Sequence, residues 1–166
     1  MTAALGGFVQ FFIPTHLLAV VALGLLVGQG ARAAITVATF ALGLAAGSFA
    51  VASAIREMPT ATALLILASA SAVLVAAGRP LPWWGGGMLA LAIGISLPVN
   101  APPHEITLSA AVAAQIGFAV AALSAFALVT VVAMQAVRPW QRIGLRVVGS
   151  WIAASAILVL ALRLAR

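Results

Sequence analysis

Long stretches without a single charge, punctuated by lone arginines, constrain this chain more than any other feature. The charged residues divide it into Ala33–Ile55, Met58–Gly78, Pro80–Pro103, Ile106–Val137 and Val147–Leu162, and none precedes Arg32. A helix needs about 20 apolar residues to span the hydrocarbon of a bilayer. Each stretch except the last meets that length, and the last does so if Arg142 and Arg146 reach back to the interface along their own stems. Strands are excluded as the alternative, because the apolar runs are too long and do not alternate. The sequence therefore predicts an all-α polytopic membrane protein, a bundle of six transmembrane helices at about 8–28, 33–54, 60–78, 82–99, 109–135 and 143–164. Residues 1–166 form a single transmembrane domain in this reading.

Composition supports lipid as the solvent. The chain is 65% hydrophobic and 6% charged, whereas soluble domains are roughly a quarter charged. The breakers fall between the predicted helices. They are Gly28-Gln29-Gly30, Pro59, Gly78-Arg79-Pro80, Asn100-Ala101-Pro102-Pro103 and Pro139. The uncharged N-terminus lacks the positive region of a secretory signal, so the first segment is expected to remain as a membrane helix.

Eight arginines against Glu57 and Glu105 give a net charge of +6. Their spacing, one at a time at the ends of apolar runs, suits membrane orientation rather than a nucleic-acid backbone. The connections after the first, third and fifth helices hold Arg32, Arg79, Arg138, Arg142 and Arg146, and the other side holds Arg56, Arg163 and Arg166. The larger group is expected on the cytoplasmic side of a bacterial inner membrane, with both termini periplasmic. Trp83, Trp84 and Trp140 then fall at cytoplasmic helix ends, where tryptophan anchors helices. Gly24-x-x-x-Gly28 and Gly43-x-x-x-Gly47 offer small-residue faces for close helix packing. The triplet Gly85-Gly86-Gly87 is expected to kink the fourth helix or to sit in a tight contact.

Few residues can carry chemistry. Cysteine and tyrosine are absent, and no nucleotide loop, serine–histidine–acid set, haem histidine pair or HExxH helix is present. The chain is not expected to be an enzyme or to hold a resident cofactor. His16 lies within the first predicted helix, close to Pro14 and to Gln10. An ionisable side chain at membrane depth is a functional candidate by default; the bland alternative is a neutral imidazole hydrogen-bonded to a neighbouring helix. The second polar cluster, Asn100 to Glu105, contains His104 and Glu105 between the fourth and fifth helices. With His16 near the same surface, His104 and Glu105 can form a mouth that attracts a cation. Imidazole and carboxylate suit nickel, zinc or copper. Glu105 can equally be a solvated charge near a helix start. Gln115, Thr107, Ser109 and Ser124 can add oxygens, or can serve local backbone groups. Glu57, beside Arg56, reads as an ion pair or a solvated charge.

The stretch Phe12-Ile13-Pro14-Thr15-His16-Leu17-Leu18-Ala19-Val20-Val21-Ala22-Leu23-Gly24-Leu25-Leu26 resembles the first-helix signature of the HupE/UreJ family, H-P-x-x-G-x-D-H followed by a leucine-rich run. These small hydrogenase and urease accessory proteins are regarded as nickel or cobalt permeases. Leu89 to Gly94 leading into Asn100-x-x-x-His104, and then Gly117-Phe118, follow in the family's order. The sequence departs from the family at Val9 and Gln10, where the family has histidine and proline, and at Ile13 and Thr15, where it has glycine and aspartate. Asn100 replaces the first histidine of the second motif, and Phe126 falls about where a later helix carries another. The resemblance implies a six-helix transport protein that moves or delivers nickel or cobalt for metalloenzyme maturation. It matches His16 and His104 to family histidines; together with Glu105 of the polar cluster these are the candidate metal ligands, and Asn100, Gln10 and Gln115 are weaker ones. A different class of function is a non-transporting scaffold or anchor, binding another membrane protein or a second copy of the chain.

Overall fold

A computed structural model describes residues 2–30, 32–52, 60–79, 81–102 and 107–165. Among the described residues the chain is entirely helical, in seven helices. These are α1 (Thr2–Gln10), α2 (Pro14–Gly28), α3 (Ala33–Ala52), α4 (Thr60–Ala77), α5 (Trp83–Asn100), α6 (Leu108–Met134) and α7 (Pro139–Leu164). By length and composition α3, α6 and α7 can cross a membrane, and the α1–α2 pair makes a fourth if it is taken as one span. The surface agrees with a lipid environment. Leu42, Leu108, Val112, Leu128, Trp151, Leu158 and Leu162 are exposed on several helices, and an apolar surface of this extent is not stable against water.

The first predicted helix is broken. The expected single element at 8–28 is instead α1 and α2, bent by 68° at the break. Proline explains the position. Pro14 has no N–H, and its ring clashes with the carbonyl four residues earlier, that of Gln10. It also pushes the preceding residue out of the helical region, and Ile13 is extended at φ −60°, ψ 132°. α1 accordingly stops at Gln10 and α2 restarts with proline in its first turn.

α2 is the axis of the fold. His16, Ala19, Val20 and every residue from Ala22 to Gly28 are buried, and the helix lies between α4 and α6. α3 packs along α5, α4 along α7, and α1 crosses α6. The aromatic core joins these layers: Phe40 of α3 meets Phe126 of α6 with ring centroids 4.5 Å apart, and Phe11 meets Phe118 at 5.9 Å.

Lipid tails are as apolar as leucine, so helices in a bilayer associate through close packing rather than water release. Small residues supply that packing here. A Cβ on Gly43 would lie 2.6 Å from the Leu91 carbonyl oxygen, and one on Gly94 would lie 2.7 Å from that of Phe40. Gly47 is blocked in the same way by Ile95 of α5. On the other predicted face, a Cβ on Gly24 would meet Val129 at 2.8 Å, and one on Gly28 would lie 2.7 Å from the Thr130 carbonyl oxygen. Both small-residue faces read from sequence are therefore helix contacts. α1 is pinned to α6 by two reciprocal pairs, Gly7 on the Ala114 backbone and Gly117 on the Ala4 backbone. Gly85, Gly86 and Gly87 do not behave as expected. They lie within continuous α5, and their nearest neighbours stand at ordinary contact distances of 3.5–3.8 Å.

α7 also begins earlier than expected, at Pro139 rather than near Arg142. Proline fits the first turn because its missing N–H would have no helical partner there. The Gln141 side chain then accepts the Arg138 N–H at 2.9 Å. Gly78 closes α4 with φ +61°, its N–H donating to the Val75 carbonyl while the Arg79 N–H donates to that of Leu74. This is a Schellman closure, which favours glycine because an L side chain is strained at positive φ.

Candidate functional site

The helix break creates the most polar point in the interior. His16 is the third residue of α2, and it is 2% exposed. Its ring stands edge-to-face on Phe118 of α6, centroids 5.5 Å apart. The Gln10 main chain lies beside the imidazole, while Nδ1 is buried with no hydrogen-bond partner among the described residues. The Gln10 carbonyl at this break accepts the Ile13 N–H at 3.4 Å. In the neutral tautomer that carries its proton on Nε2, Nδ1 presents a lone pair, the form in which histidine binds metals.

Two further unpaired groups lie where the end of α5 meets α6. Gln115 lies one turn before Phe118 on α6. Its Nε2 donates to the Ala101 carbonyl at 3.5 Å, and its Oε1 is buried without a partner. Asn100, the last residue of α5 and the neighbour of Ala101, holds its Nδ2 buried and unpartnered. A buried polar atom without a partner costs about 1–3 kcal/mol. Several hydroxyls of the helices bond to their own backbone instead. Ser69 donates to the Leu65 carbonyl and Ser71 to that of Leu67. Ser96 donates to Ala92 and Ser124 to Val120. Such back-bonding is the usual way a hydroxyl is satisfied within a helix.

His16 is twelve residues before Gly28 along α2, about 18 Å at 1.5 Å per residue. Its neighbour Phe118 sits towards the middle of α6. The break also brings opposite helix poles together: the carbonyl end of α1 and the N–H end of α2. A cation approaching here would be received by the α1 carbonyls and Nδ1.

The predicted ligands fall into three groups. Asn100 and Gln115 meet around Ala101, and His16 lies at the α1–α2 break against Phe118. Gln10 is half-buried, and it contributes main chain rather than its amide. His104 and Glu105 lie outside the described residues, as do Arg56 and Glu57. Of the further oxygens considered, Ser124 is occupied by its own helix and Thr107 caps α6, accepting the Ala110 N–H at 3.4 Å. Among the described residues no three His, Cys, Asp or Glu side chains gather. Sequence reasoning read Gly117-Phe118 only as part of a motif and did not foresee Phe118 packing on the imidazole, because phenylalanine in an apolar run carries no positional signal. It also missed that Gln29 Nε2 and Thr130 Oγ1 are buried without partners.

No family model matches the chain, and neither a curated protein nor a solved structure is similar enough to pair with it.

Proposed function

We propose that the chain is a multi-pass transport protein of the bacterial inner membrane, of the HupE/UreJ type, that passes or delivers nickel or cobalt. In this reading α1 and α2 together form the first of six spans, and the five-arginine end faces the cytoplasm. The connection holding His104 and Glu105 is then the periplasmic mouth. The observation that carries the reading is the buried Nδ1 of His16, which has no partner among the described residues. A membrane interior retains an unpaired polar atom at a cost, and a visiting ligand offsets that cost. Asn100, four residues before His104, and Gln115 supply further amide groups in this reading. The ion is substrate rather than a resident cofactor, and the site must hold it weakly enough to let it leave. No bond is made or broken, so the reading is not enzymatic.

Accumulation of radiolabelled nickel and cobalt in cells lacking their own uptake system tests this. Cells producing the protein are expected to accumulate the ion above vector controls. His16→Ala should reduce the increment on the order of tenfold or more, the usual scale for disturbing a metal's surroundings. Equal accumulation in all three strains would remove the metal reading.

A second reading, a scaffold subunit, has its own support. An apolar groove of about 720 Å³ runs between α3 and α6, lined by Ala41, Leu44, Ala45, Val112, Ile116 and Val120. It would accept a helix of another membrane protein or of a second copy. A stoichiometric partner recovered in mild detergent, with no metal accumulation, would favour it.

A further inference from the structure

The opposite end of the fold holds a second polar cavity with the reverse chemistry. It measures about 220 Å³ and lies where α2, α4, α6 and α7 end or begin, bounded by Gln29, Gly78, Met134, Ala136, Arg142 and Arg146. Its polar side chains present N–H groups. Arg142 and Arg146 stand one turn apart on α7 and both line this cavity. The Arg146 guanidinium rests on Gly78, where a Cβ would collide with it. Neither arginine forms an ion pair with a described residue. The Gln29 amide nitrogen is a third donor, buried and unpartnered.

The wider charge balance points the same way. Arg32, Arg79, Arg138, Arg142 and Arg146 belong to this end, and the two glutamates of the chain fall in the α3–α4 and α5–α6 connections instead. Helix poles do not offset the arginines. Three C-termini (α2, α4, α6) and three N-termini (α3, α5, α7) meet here, so their partial charges cancel. Arg32 is occupied by stacking on Trp83, 5.4 Å from the ring centroid. Arg142 and Arg146 remain with open donors beside a cavity. Guanidinium groups match the geometry of phosphate oxygens, and basic pockets between membrane helices are suited to phospholipid headgroups.

We propose that this cavity binds a phosphate group, carried by an anionic phospholipid or free in solution. Arg142 and Arg146 are its principal donors and Gln29 completes it from behind. Gly78 is part of the design, since only a residue without a side chain lets the Arg146 guanidinium lie flat over the end of α4. The inference does not rest on the metal reading, and neither stands or falls with the other.

Native mass spectrometry of the whole chain in a neutral detergent tests it. Phosphatidylglycerol, phosphatidylcholine and inorganic phosphate are each titrated against wild type, Arg142→Gln/Arg146→Gln and, as a control at the far end, Arg163→Gln. Wild type and the control are expected to retain phosphatidylglycerol or inorganic phosphate at least about tenfold better than the double variant. Inorganic phosphate that displaces the lipid at millimolar concentration identifies free phosphate as the ligand; failure to displace it identifies the headgroup. Where the double variant does not survive extraction, Arg142→Gln alone is used, because that side chain is exposed and supports no packing. Equal retention by wild type and variants overturns the proposal, as does a wild type that does not distinguish phosphatidylglycerol from phosphatidylcholine and ignores phosphate.

Discussion

Alanine at Gly7 is expected to destabilise the fold by about 3 kcal/mol, the upper part of the range for overpacking, while alanine at Gly6 leaves it unchanged or about 0.5–1 kcal/mol more stable. The two glycines are neighbours in one helix and share their intrinsic preferences. A Cβ on Gly6 meets nothing within 4 Å, whereas one on Gly7 runs into the main chain of Ala114. Gly6→Ala therefore gains only helix propensity, worth up to about 1 kcal/mol over glycine. Gly7→Ala must push α1 off α6, because a backbone cannot swing away as a flexible side chain can. Reversible unfolding in sodium dodecyl sulfate, followed by circular dichroism, measures both. Gly7→Ala should also weaken the His16 site, since α1 carries the Gln10 carbonyl. Equal stability of the two variants would mean that α1 does not pack on α6 as described.

The second large effect concerns His16 itself, and its sign separates function from structure. His16→Leu is expected to stabilise the protein by about 1 kcal/mol and to abolish metal accumulation. The unpaired Nδ1 costs about 1–3 kcal/mol in the interior, and leucine removes that cost while filling much of the same volume against Phe118. The lost contact with Gln10 offsets part of the gain. Ile13 N–H, 3.4 Å from that carbonyl, limits the loss. A site kept for its activity at the expense of stability behaves in this way. A histidine kept for structure would do the opposite, so marked destabilisation on replacement by leucine would argue for a purely architectural role.

The helices were largely legible in the sequence because lipid makes their rule simple. Apolar stretches of the right length, ended by arginine, glycine or proline, placed α3 to α6 within a residue or two of the observed limits. Gly24, Gly28, Gly43 and Gly47 could be recognised as packing faces because both members of each pair lie on one helix. The Gly7–Ala114 and Ala4–Gly117 pairs could not, since each partner is on a different helix and only the fold brings them together. The break at Gln10–Pro14 was in the sequence but was outweighed by the continuity of the apolar run. Pro14 marks both the stop at Gln10, four residues back, and the restart of α2. α7 began early for the same reason, as Pro139 opens a helix rather than separating two.

The candidate site was only partly legible. His16 stood out as an ionisable group among hydrocarbons, but its unpaired Nδ1 depends on where Gln10 and Phe118 lie. Asn100 and Gln115, fifteen positions apart, become neighbours only because the α5–α6 turn brings Ala101 under Gln115. The arginine cavity was invisible, since Gln29, Gly78 and Arg146 belong to three separate helix ends.

The chain contains no cysteine, so one introduced thiol reports on one place. His16→Cys in intact cells, challenged with a small water-soluble methanethiosulfonate, asks whether polar solutes reach the break. Ala19→Cys, fully buried one turn further along α2, serves as the reference. The account predicts modification of the thiol at position 16, slowed by added nickel, with none at position 19. A thiol at 16 that resists the water-soluble reagent, or that reacts only with a lipid-soluble maleimide, would contradict a polar path to His16.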